Sequence, residues 1–308
     1  MSTRHLVDAD IAPLLDVMPP TDWSTPIPEL RAMSRWELPP PVIAPEVRTI
    51  DGPNGPVEVY LFVPAERQGS GAVLHIHGGG MIMGSVATFQ AGPAGLAQNL
   101  GVPVASVEYR LAPEHPFPAP QEDCYAALKW LSGEAEALGI DAAKIVVAGE
   151  SAGGGLAAAV ALMARDRGGP PLAGQVLTYP MLDHRTGGPD CQWKNPGVGE
   201  FVWTPEGNRI GWGALKGDYA ADDDRKGWFS PALADDLSGL PATWIGTGSL
   251  DLFFDEDLDY ARRLAAARVP VELHSYPGAV HAFNLVPEAG ISKQFNADML
   301  GALSRMVA

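Results

Sequence analysis

The feature that most restricts the fold is an alternation of short apolar runs with longer helical segments, which begins at residue 72. Almost continuous apolar runs are typical of strands buried on both faces of a parallel sheet. Because such strands alternate here with helices, the order predicts an α/β fold in which helices flank a mostly parallel central sheet. The predicted strands are 72–77, 103–108, 144–148, 173–179, 242–247 and 271–276, and the predicted helices are 119–131, 152–167, 257–267 and 292–307.

Two shorter strands are predicted before this alternation. Residues 47–50 and 56–63 flank the sequence DGPNG at 51–55, whose glycines, proline and asparagine are typical of a turn. The sequence therefore predicts a hairpin at one edge of the sheet.

Two segments, residues 1–45 and 184–230, do not follow the alternation. A long connection inside a compact domain commonly serves as a lid or a binding element, and aromatic side chains suit an apolar ligand. Each tryptophan there could equally belong to the small core of a subsidiary helical layer. These segments hold six of the eight tryptophans: Trp23, Trp36, Trp193, Trp203, Trp212 and Trp228.

Composition excludes several classes of protein. The chain has 308 residues and 46% apolar residues, which is enough for a large core. Its net charge of −16 disfavours binding to nucleic acid or to an anionic membrane surface. Two cysteines are too few for a disulfide framework, and the first ten residues lack the apolar stretch of a signal peptide. We therefore expect a cytoplasmic protein.

The sequence GESAG at residues 149–153 is typical of an exposed serine nucleophile. It follows a predicted strand and opens a predicted helix. Glycines two positions before and two positions after Ser151 allow the sharp turn that exposes its hydroxyl. A glycine-rich helix start without chemistry is the alternative interpretation.

A second glycine-rich motif, HIHGGG at residues 75–80, ends the predicted strand 72–77. Backbone N–H groups in the glycine loop, residues 78–80, can stabilise the anion of a tetrahedral intermediate. A phosphate-binding loop is the alternative, but neither the P-loop lysine nor the Rossmann glycine spacing is present.

A serine nucleophile needs a histidine base, and this type of fold places the base last in chain order. His184 leaves too few residues for an intervening strand that bears the acid, and His274 lies within a predicted strand. His281 lies in a loop just after that strand and is the predicted base.

The acid that orients the base is expected in the loop after the preceding strand. Position favours Asp251, and Asp183 is the next candidate. Asp255 lies one turn further on, and with the acidic residues at 256, 257 and 259 it is expected in the first turn of a helix.

Together these motifs resemble the hormone-sensitive-lipase family of α/β-hydrolases from about residue 45 onward. The matching motifs are HGGG (77–80), YRLAPE (109–114), GESAG (149–153), Asp251 with the DE pair at 255–256, and HAF (281–283). The resemblance implies an α/β-hydrolase fold and a serine carboxylesterase for short-chain or aryl esters, with no cofactor and no metal. In that family, the N–H groups at the positions of Gly78, Gly79 and Ala152 form the oxyanion hole.

The resemblance also implies a helical cap. Residues 1–45 and 184–230, here called the cap region, would cover a catalytic domain of residues 46–183 and 231–308. Substrate-pocket candidates are Met81 and Met83, where relatives often carry an aromatic residue, and Trp203 and Trp212 of the cap region. Leu252 stands where relatives usually have proline, and Glu150 where aspartate is commoner.

Two other functions remain open at this point. An amidase or peptidase could use the same three residues, and a non-catalytic ligand receptor could use the same scaffold. The expected partner is a small ester, with no nucleic acid and no membrane. Similar proteins commonly form a homodimer through the last strand and helix, which is a further expectation.

Overall fold

An eight-stranded sheet forms the centre of the structure, a computed structural model that describes residues 2–18, 20–33, 40–220 and 223–308. The strands differ from their predicted bounds by at most two residues. They are β1 (Glu46–Gly52), β2 (Gly55–Phe62), β3 (Ala72–Ile76), β4 (Val104–Glu108), β5 (Ile145–Glu150), β6 (Gly174–Thr178), β7 (Ala242–Gly248) and β8 (Val271–Tyr276).

The strands lie in the order β1-β2-β4-β3-β5-β6-β7-β8. Strands β3 to β8 are parallel, whereas β2 pairs antiparallel with both β1 and β4. Gly52 pairs with Gly55 at the turn of the predicted hairpin, which places β1 at one edge. The prediction of an α/β fold with a mostly parallel sheet is confirmed.

Helices flank the sheet and also occur in the cap region. None of those in the described ranges combines the length and the apolar character needed to cross a membrane. They are α1 (Ala12–Val17), α2 (Ile27–Met33), α3 (Val86–Phe89), α4 (Ala91–Leu100), α5 (Ala119–Gly133), α6 (Ala135–Leu138), α7 (Ala152–Asp166), α8 (Pro205–Lys216), α9 (Lys226–Phe229), α10 (Phe254–Ala266) and α11 (Gly290–Val307). Short 3-10 turns occur at Arg4–Leu6, Ala142–Lys144, Pro231–Leu233 and Phe283–Leu285.

Helix α4 was not predicted from the sequence. Its sequence, AGPAGLAQNL, contains two glycines and a proline, which have poor helix propensity. Leu96 and Leu100 are nevertheless buried in the core, and the helix ends at Gly101 in the left-handed conformation. Tertiary packing therefore stabilises a segment whose local sequence disfavours a helix.

Two apolar layers lie on opposite faces of the sheet. Alternate residues of β5 show this clearly, since Val147 belongs to one layer and Val146 to the other. The first layer includes α5 and α7, and the second includes α4 and α11. Trp36 of the cap region lies outside the described residues.

The parallel strands bring the predicted site residues to one edge of the sheet. Ser151 follows β5, Asp251 follows β7 and His281 follows β8, while the glycine loop follows β3. Because these strands are parallel, all four segments leave the same carboxyl edge, which is where open α/β sheets commonly bind ligands.

Candidate active site

Ser151 occupies a strained turn between β5 and α7. Its backbone has φ of 56° and ψ of −120°, a conformation that is costly for a residue with a side chain. At Gly153 a β-carbon would overlap the carbonyl oxygen of Ile76, so glycine allows the helix to approach β3 closely. The backbone N–H of Ser151 donates to Thr178 O at 2.9 Å and fixes the turn against β6.

His281 lies between Ser151 and Asp251. Its Nδ1 is 2.7 Å from Asp251 Oδ2, and its Nε2 is 2.9 Å from Ser151 Oγ. The Asp251 carboxylate can only accept, so Nδ1–H donates to it and Nε2 is left to accept the Ser151 hydroxyl proton. Asp251 is fully buried, and its Oδ1 accepts the backbone N–H of Phe253 at 2.9 Å. The predicted nucleophile, base and acid are therefore in hydrogen-bond contact.

Three aromatic rings surround the His281 imidazole. Their centroids lie at 4.8 Å for Tyr179, 5.3 Å for Phe253 and 6.4 Å for Trp203. The sequence analysis did not identify Tyr179 or Phe253. Their positions, directly after β6 and two residues after Asp251, are signals that could have drawn attention to them.

The glycine loop lies beside the serine. A β-carbon on Gly78 would be 3.5 Å from Ser151 Cβ, which shows how closely the two segments approach. Within the described chain, the N–H groups of Gly78 and Gly79 donate to no other residue. Ala152 is the first residue of α7, so its N–H has no partner one turn earlier in the helix. These three N–H groups are thus free to bind an anion.

The side chain of His77 supports the glycine loop from within. It stacks between Tyr109 at 4.3 Å and Phe89 at 5.7 Å, and its Nδ1 donates to Gly78 O at 2.7 Å. Burial is the main cause that lowers the pKa of His77 to about 4, so the ring is neutral at neutral pH. The Tyr109 hydroxyl donates to His77 O at 3.0 Å and holds the same turn.

Glu150, the residue before the serine, bonds to a buried histidine. Its Oε2 lies 3.1 Å from His75 Nε2, and His75 Nδ1 lies 2.8 Å from Ser106 Oγ. This line of side chains connects β5, β3 and β4 across the sheet. It therefore joins the strand that precedes Ser151 to the strand that leads into the glycine loop.

The four predicted pocket residues have different surroundings. Trp203 lies beside His281, and Met83 is half-buried at the end of the glycine loop. Met81 is buried, and its Cε would be 3.7 Å from a β-carbon on Gly155 of α7. The ring neighbours of Trp212 are His184 and Phe229. Of the two tryptophan candidates, Trp203 is thus the one whose ring contacts His281 among the described residues.

The alternative acids have other partners. Both carboxylate oxygens of Asp183 accept hydrogen bonds from the guanidinium of Arg185, at 2.8 and 2.6 Å. Asp255 accepts a hydrogen bond from Asn195 Nδ2 at 2.9 Å. The position-based preference for Asp251 thus agrees with the geometry.

Two further carboxyl groups in the first turn of α10 are fully buried, although an acidic first turn is usually solvated. Glu256 accepts the N–H groups of Leu182 at 2.6 Å and Asp183 at 3.2 Å. Burial, and then the nearby carboxylate of Asp183, raise the pKa of Glu256 well above its usual range. Burial, and then Glu256, raise the pKa of Asp257 in the same way.

Comparison with known proteins decides the family. A family model described as the α/β-hydrolase fold matches residues 73–285. The chain belongs to the α/β-hydrolase family. The prediction of a bacterial-type carboxylesterase family that resembles hormone-sensitive lipase is confirmed.

Two curated relatives and one solved structure illustrate the similarity of this α/β-hydrolase to known esterases. Esterase LipI of Mycobacterium tuberculosis is 36% identical over 80% of this chain and 78% of its own length. Carboxylesterase NlhH of the same species is 37% identical over 91% of this chain and 89% of its own. The structure of a bacterial heroin esterase has a TM-score of 0.91 and 36% identity, with both chains fully covered.

Proposed function

We propose that this chain is a serine carboxylesterase that hydrolyses short-chain or aryl esters through an acyl-enzyme intermediate. The observation that carries the proposal is the position of His281, 2.9 Å from Ser151 Oγ and 2.7 Å from Asp251 Oδ2. The esterases among its relatives support the same class of substrate.

In the acylation step, His281 Nε2 takes the proton from Ser151 Oγ as that oxygen attacks the ester carbonyl carbon. The Asp251 carboxylate stabilises the imidazolium that forms and holds Nδ1 in place. His281 then gives its proton to the departing alcohol, and the C–O bond of the ester breaks. The acyl group remains on Ser151.

A negative charge develops on the carbonyl oxygen of the substrate. In this scheme the N–H groups of Gly78, Gly79 and Ala152 stabilise it by donating hydrogen bonds. Each donor is held before the substrate binds, so little reorganisation opposes the reaction. The neutral imidazole of His77 supports the loop without adding a charge that would change with pH near neutrality.

Water hydrolyses the acyl-enzyme by the same route in reverse. His281 removes a proton from the water, the resulting oxygen attacks the acyl carbon, and Ser151 leaves with the proton returned by His281. The products are the carboxylic acid and free enzyme. No cofactor or metal takes part in this scheme.

The cap region, residues 1–45 and 184–230, is assigned to the substrate side of the site. Its two segments meet where the rings of Trp23 and Trp203 pack edge to face at 5.1 Å. Arg31 of α2 donates to Ile82 O at 2.6 Å and to Ala112 O at 2.8 Å, which fastens the cap region to the catalytic domain. A closely attached aromatic wall favours short acyl groups.

Two further assignments concern the protein's surroundings. Its free cysteines, Cys124 and Cys191, fit a reducing cytoplasm. Strand β8 lies at the edge of the sheet and Leu273 on it is 38% exposed, which supports a homodimer through this strand and α11. The net charge of −16 argues against a nucleic-acid partner.

Substitution of the nucleophile tests the function. Ser151→Ala should lower kcat for p-nitrophenyl acetate and butyrate by about 10⁶-fold, because the acyl-enzyme cannot form. Ser238→Ala, at an exposed serine, is the matched control and should retain full activity. Wild-type hydrolysis by the Ser151→Ala enzyme would refute the mechanism.

A covalent probe and an amide substrate extend this test. An organophosphate should label Ser151 in a 1:1 adduct visible by mass spectrometry, whereas a ligand receptor without nucleophile activation should not react. The matching anilides should be hydrolysed far more slowly than the esters. Anilide turnover equal to ester turnover would favour an amidase instead.

A further inference from the structure

The chain turns sharply immediately after His281. Ala282 adopts φ of 58°, a left-handed conformation that is unfavourable for a residue with a β-carbon. The next residue, Phe283, is fully buried, and its carbonyl accepts the Ser292 hydroxyl at 3.1 Å. A strained turn beside the base persists only when surrounding contacts hold it.

Tyr179 supplies one of these contacts from a different strand. Its hydroxyl donates to Asn284 Oδ1 at 2.7 Å, three residues after the base. Tyr179 itself is 4% exposed and has φ of 34°, which is unusual for an aromatic residue. Its backbone N–H donates to Gly246 O at 2.7 Å, so the residue is anchored between β6 and β7.

The same side chain also contacts the base directly. The ring of Tyr179 meets the His281 imidazole at 4.8 Å with an angle of 61° between the planes. Burial, followed by the charges of Glu150 and Asp251, raises the pKa of Tyr179 well above its usual range. The phenol therefore remains a hydrogen-bond donor throughout the working pH range.

We propose that Tyr179 and Asn284 form a positioning pair that holds His281 in line with Ser151 and with the leaving group, which assumes the proposed esterase function. The hydroxyl-to-amide bond fixes the loop that carries the base, and the ring limits the tilt of the imidazole. Neither side chain exchanges a proton with the substrate. Both residues act through His281, as positioning residues.

Alignment of the base matters because His281 must exchange a proton with two different oxygen atoms in succession. It first accepts a proton from Ser151 Oγ and then donates it to the leaving alcohol. A displacement of about 1 Å can lower the rate by roughly 10²-fold without changing ground-state binding. A positioning pair should therefore affect kcat more than KM.

Two single variants and their combination test the pair. Tyr179→Phe keeps the ring and removes the hydroxyl, and Asn284→Ala removes the acceptor. With p-nitrophenyl butyrate, each single variant should lower kcat about tenfold and leave KM within about twofold. The double variant should lose no more than the larger single loss, because both changes break the same bond.

Tyr125→Phe is the matched control. Tyr125 is also a buried tyrosine, and its hydroxyl donates to Gly169 O at 2.5 Å, away from His281. This variant should keep wild-type kcat. Should Tyr179→Phe fail to fold, as judged by thermal unfolding, Asn284→Ala alone still decides whether the hydroxyl-to-amide bond supports catalysis.

Three results would contradict the positioning role of Tyr179 and Asn284. They are wild-type kcat in the single variants, a rise in KM without a change in kcat, and losses in kcat that multiply in the double variant. The proposed function is judged separately. If Ser151→Ala is inactive and Tyr179→Phe is fully active, the esterase assignment stands and the positioning role fails. If Ser151→Ala is active, the esterase mechanism itself fails.

Discussion

The indole of Trp203 packs directly on the backbone of Gly80, so closely that a β-carbon on Gly80 would overlap the ring. On another side Trp203 meets Trp23, and its Nε1 donates to Asn208 Oδ1 at 3.2 Å. One tryptophan thus joins both segments of the cap region to the loop assigned to the oxyanion. Under the proposed function, Trp203 is the residue of the cap region that would limit the size of the acyl group beside the glycine loop.

Trp203→Ala should therefore extend the range of acyl chains. Removing the indole opens space beside the glycine loop, so longer apolar chains gain contacts that the wild type excludes. We expect the ratio of kcat/KM for p-nitrophenyl octanoate to that for butyrate to rise about tenfold. The ratio is measured from initial rates across acetate, butyrate, octanoate and dodecanoate.

Trp228→Ala is the matched control for this experiment. Trp228 also belongs to the cap region, but its Nε1 donates to Asp166 Oδ2 and its ring stacks on Arg167. Its removal should leave the chain-length profile unchanged. An unchanged profile in Trp203→Ala as well would show that Trp203 does not limit the acyl group.

Gly80→Ala should impair both stability and turnover. Gly80 has φ of 61°, where a β-carbon is strained, and the added methyl group would push against Trp203. Strain and overpacking together should cost about 2 kcal/mol, which lowers the Tm by a few degrees. Displacement of the glycine loop should lower kcat at least about tenfold.

Gly95→Ala provides the contrast. Gly95 lies within helix α4, and a β-carbon there would meet no atom within 4 Å beyond its chain neighbours and the backbone of its own helix. Alanine favours the helix, so this variant should be equally stable or slightly more stable, with unchanged kcat. A Gly80→Ala enzyme with the same Tm and kcat as Gly95→Ala would contradict the close contact with Trp203.

Asp257→Asn should change how stability depends on pH. The Asp257 carboxyl is fully buried, and the neighbouring Thr247 hydroxyl offsets only part of the cost of burying its charge. Burial raises its pKa above the ordinary value of 3.8, so the folded state prefers the protonated form. The protonated carboxyl contributes fully to the free energy of unfolding below pH 3.8. That contribution is lost as the pH rises through the folded-state pKa of Asp257.

The asparagine variant has no proton to lose at this position and should avoid that loss. Each unit of raised pKa corresponds to about 1.4 kcal/mol, so Tm at pH 8 should exceed the wild-type value by a few degrees. The gain should shrink at pH 5. Asp218→Asn, at an exposed carboxyl, should shift Tm equally at both pH values. A pH-independent shift in Asp257→Asn would rule out this linkage.

Much of the fold and site followed from local sequence. Short apolar runs predicted the strands of the parallel sheet, because strands buried on both faces are apolar almost throughout. The GESAG turn indicated Ser151, and chain order selected His281 over His274, whose side chain pairs with Glu272 on the edge strand. These predictions needed only spacing and the geometry of strand ends.

Other features depended on residues that are distant in the chain. Helix α4 lacks local helix propensity and is stabilised by burial. The bond between Glu150 and His75 joins side chains 75 positions apart, and nothing at either position indicates its partner. The position of Tyr179 after β6 could have drawn attention to it, but only the folded structure shows that its ring contacts His281.

The amino-acid sequence by itself determined the α/β class and indicated Ser151 as the candidate nucleophile, because both follow from short-range patterns of apolar, small and turn-forming residues. Only the tertiary structure decided that Asp251 rather than Asp183 meets the base, and that Trp203 reaches the glycine loop. Such contacts depend on packing between segments whose relative placement no local pattern encodes. The motif around Ser151 is therefore local in sequence, whereas the contacts among Ser151, His281 and Asp251 exist only in the assembled fold.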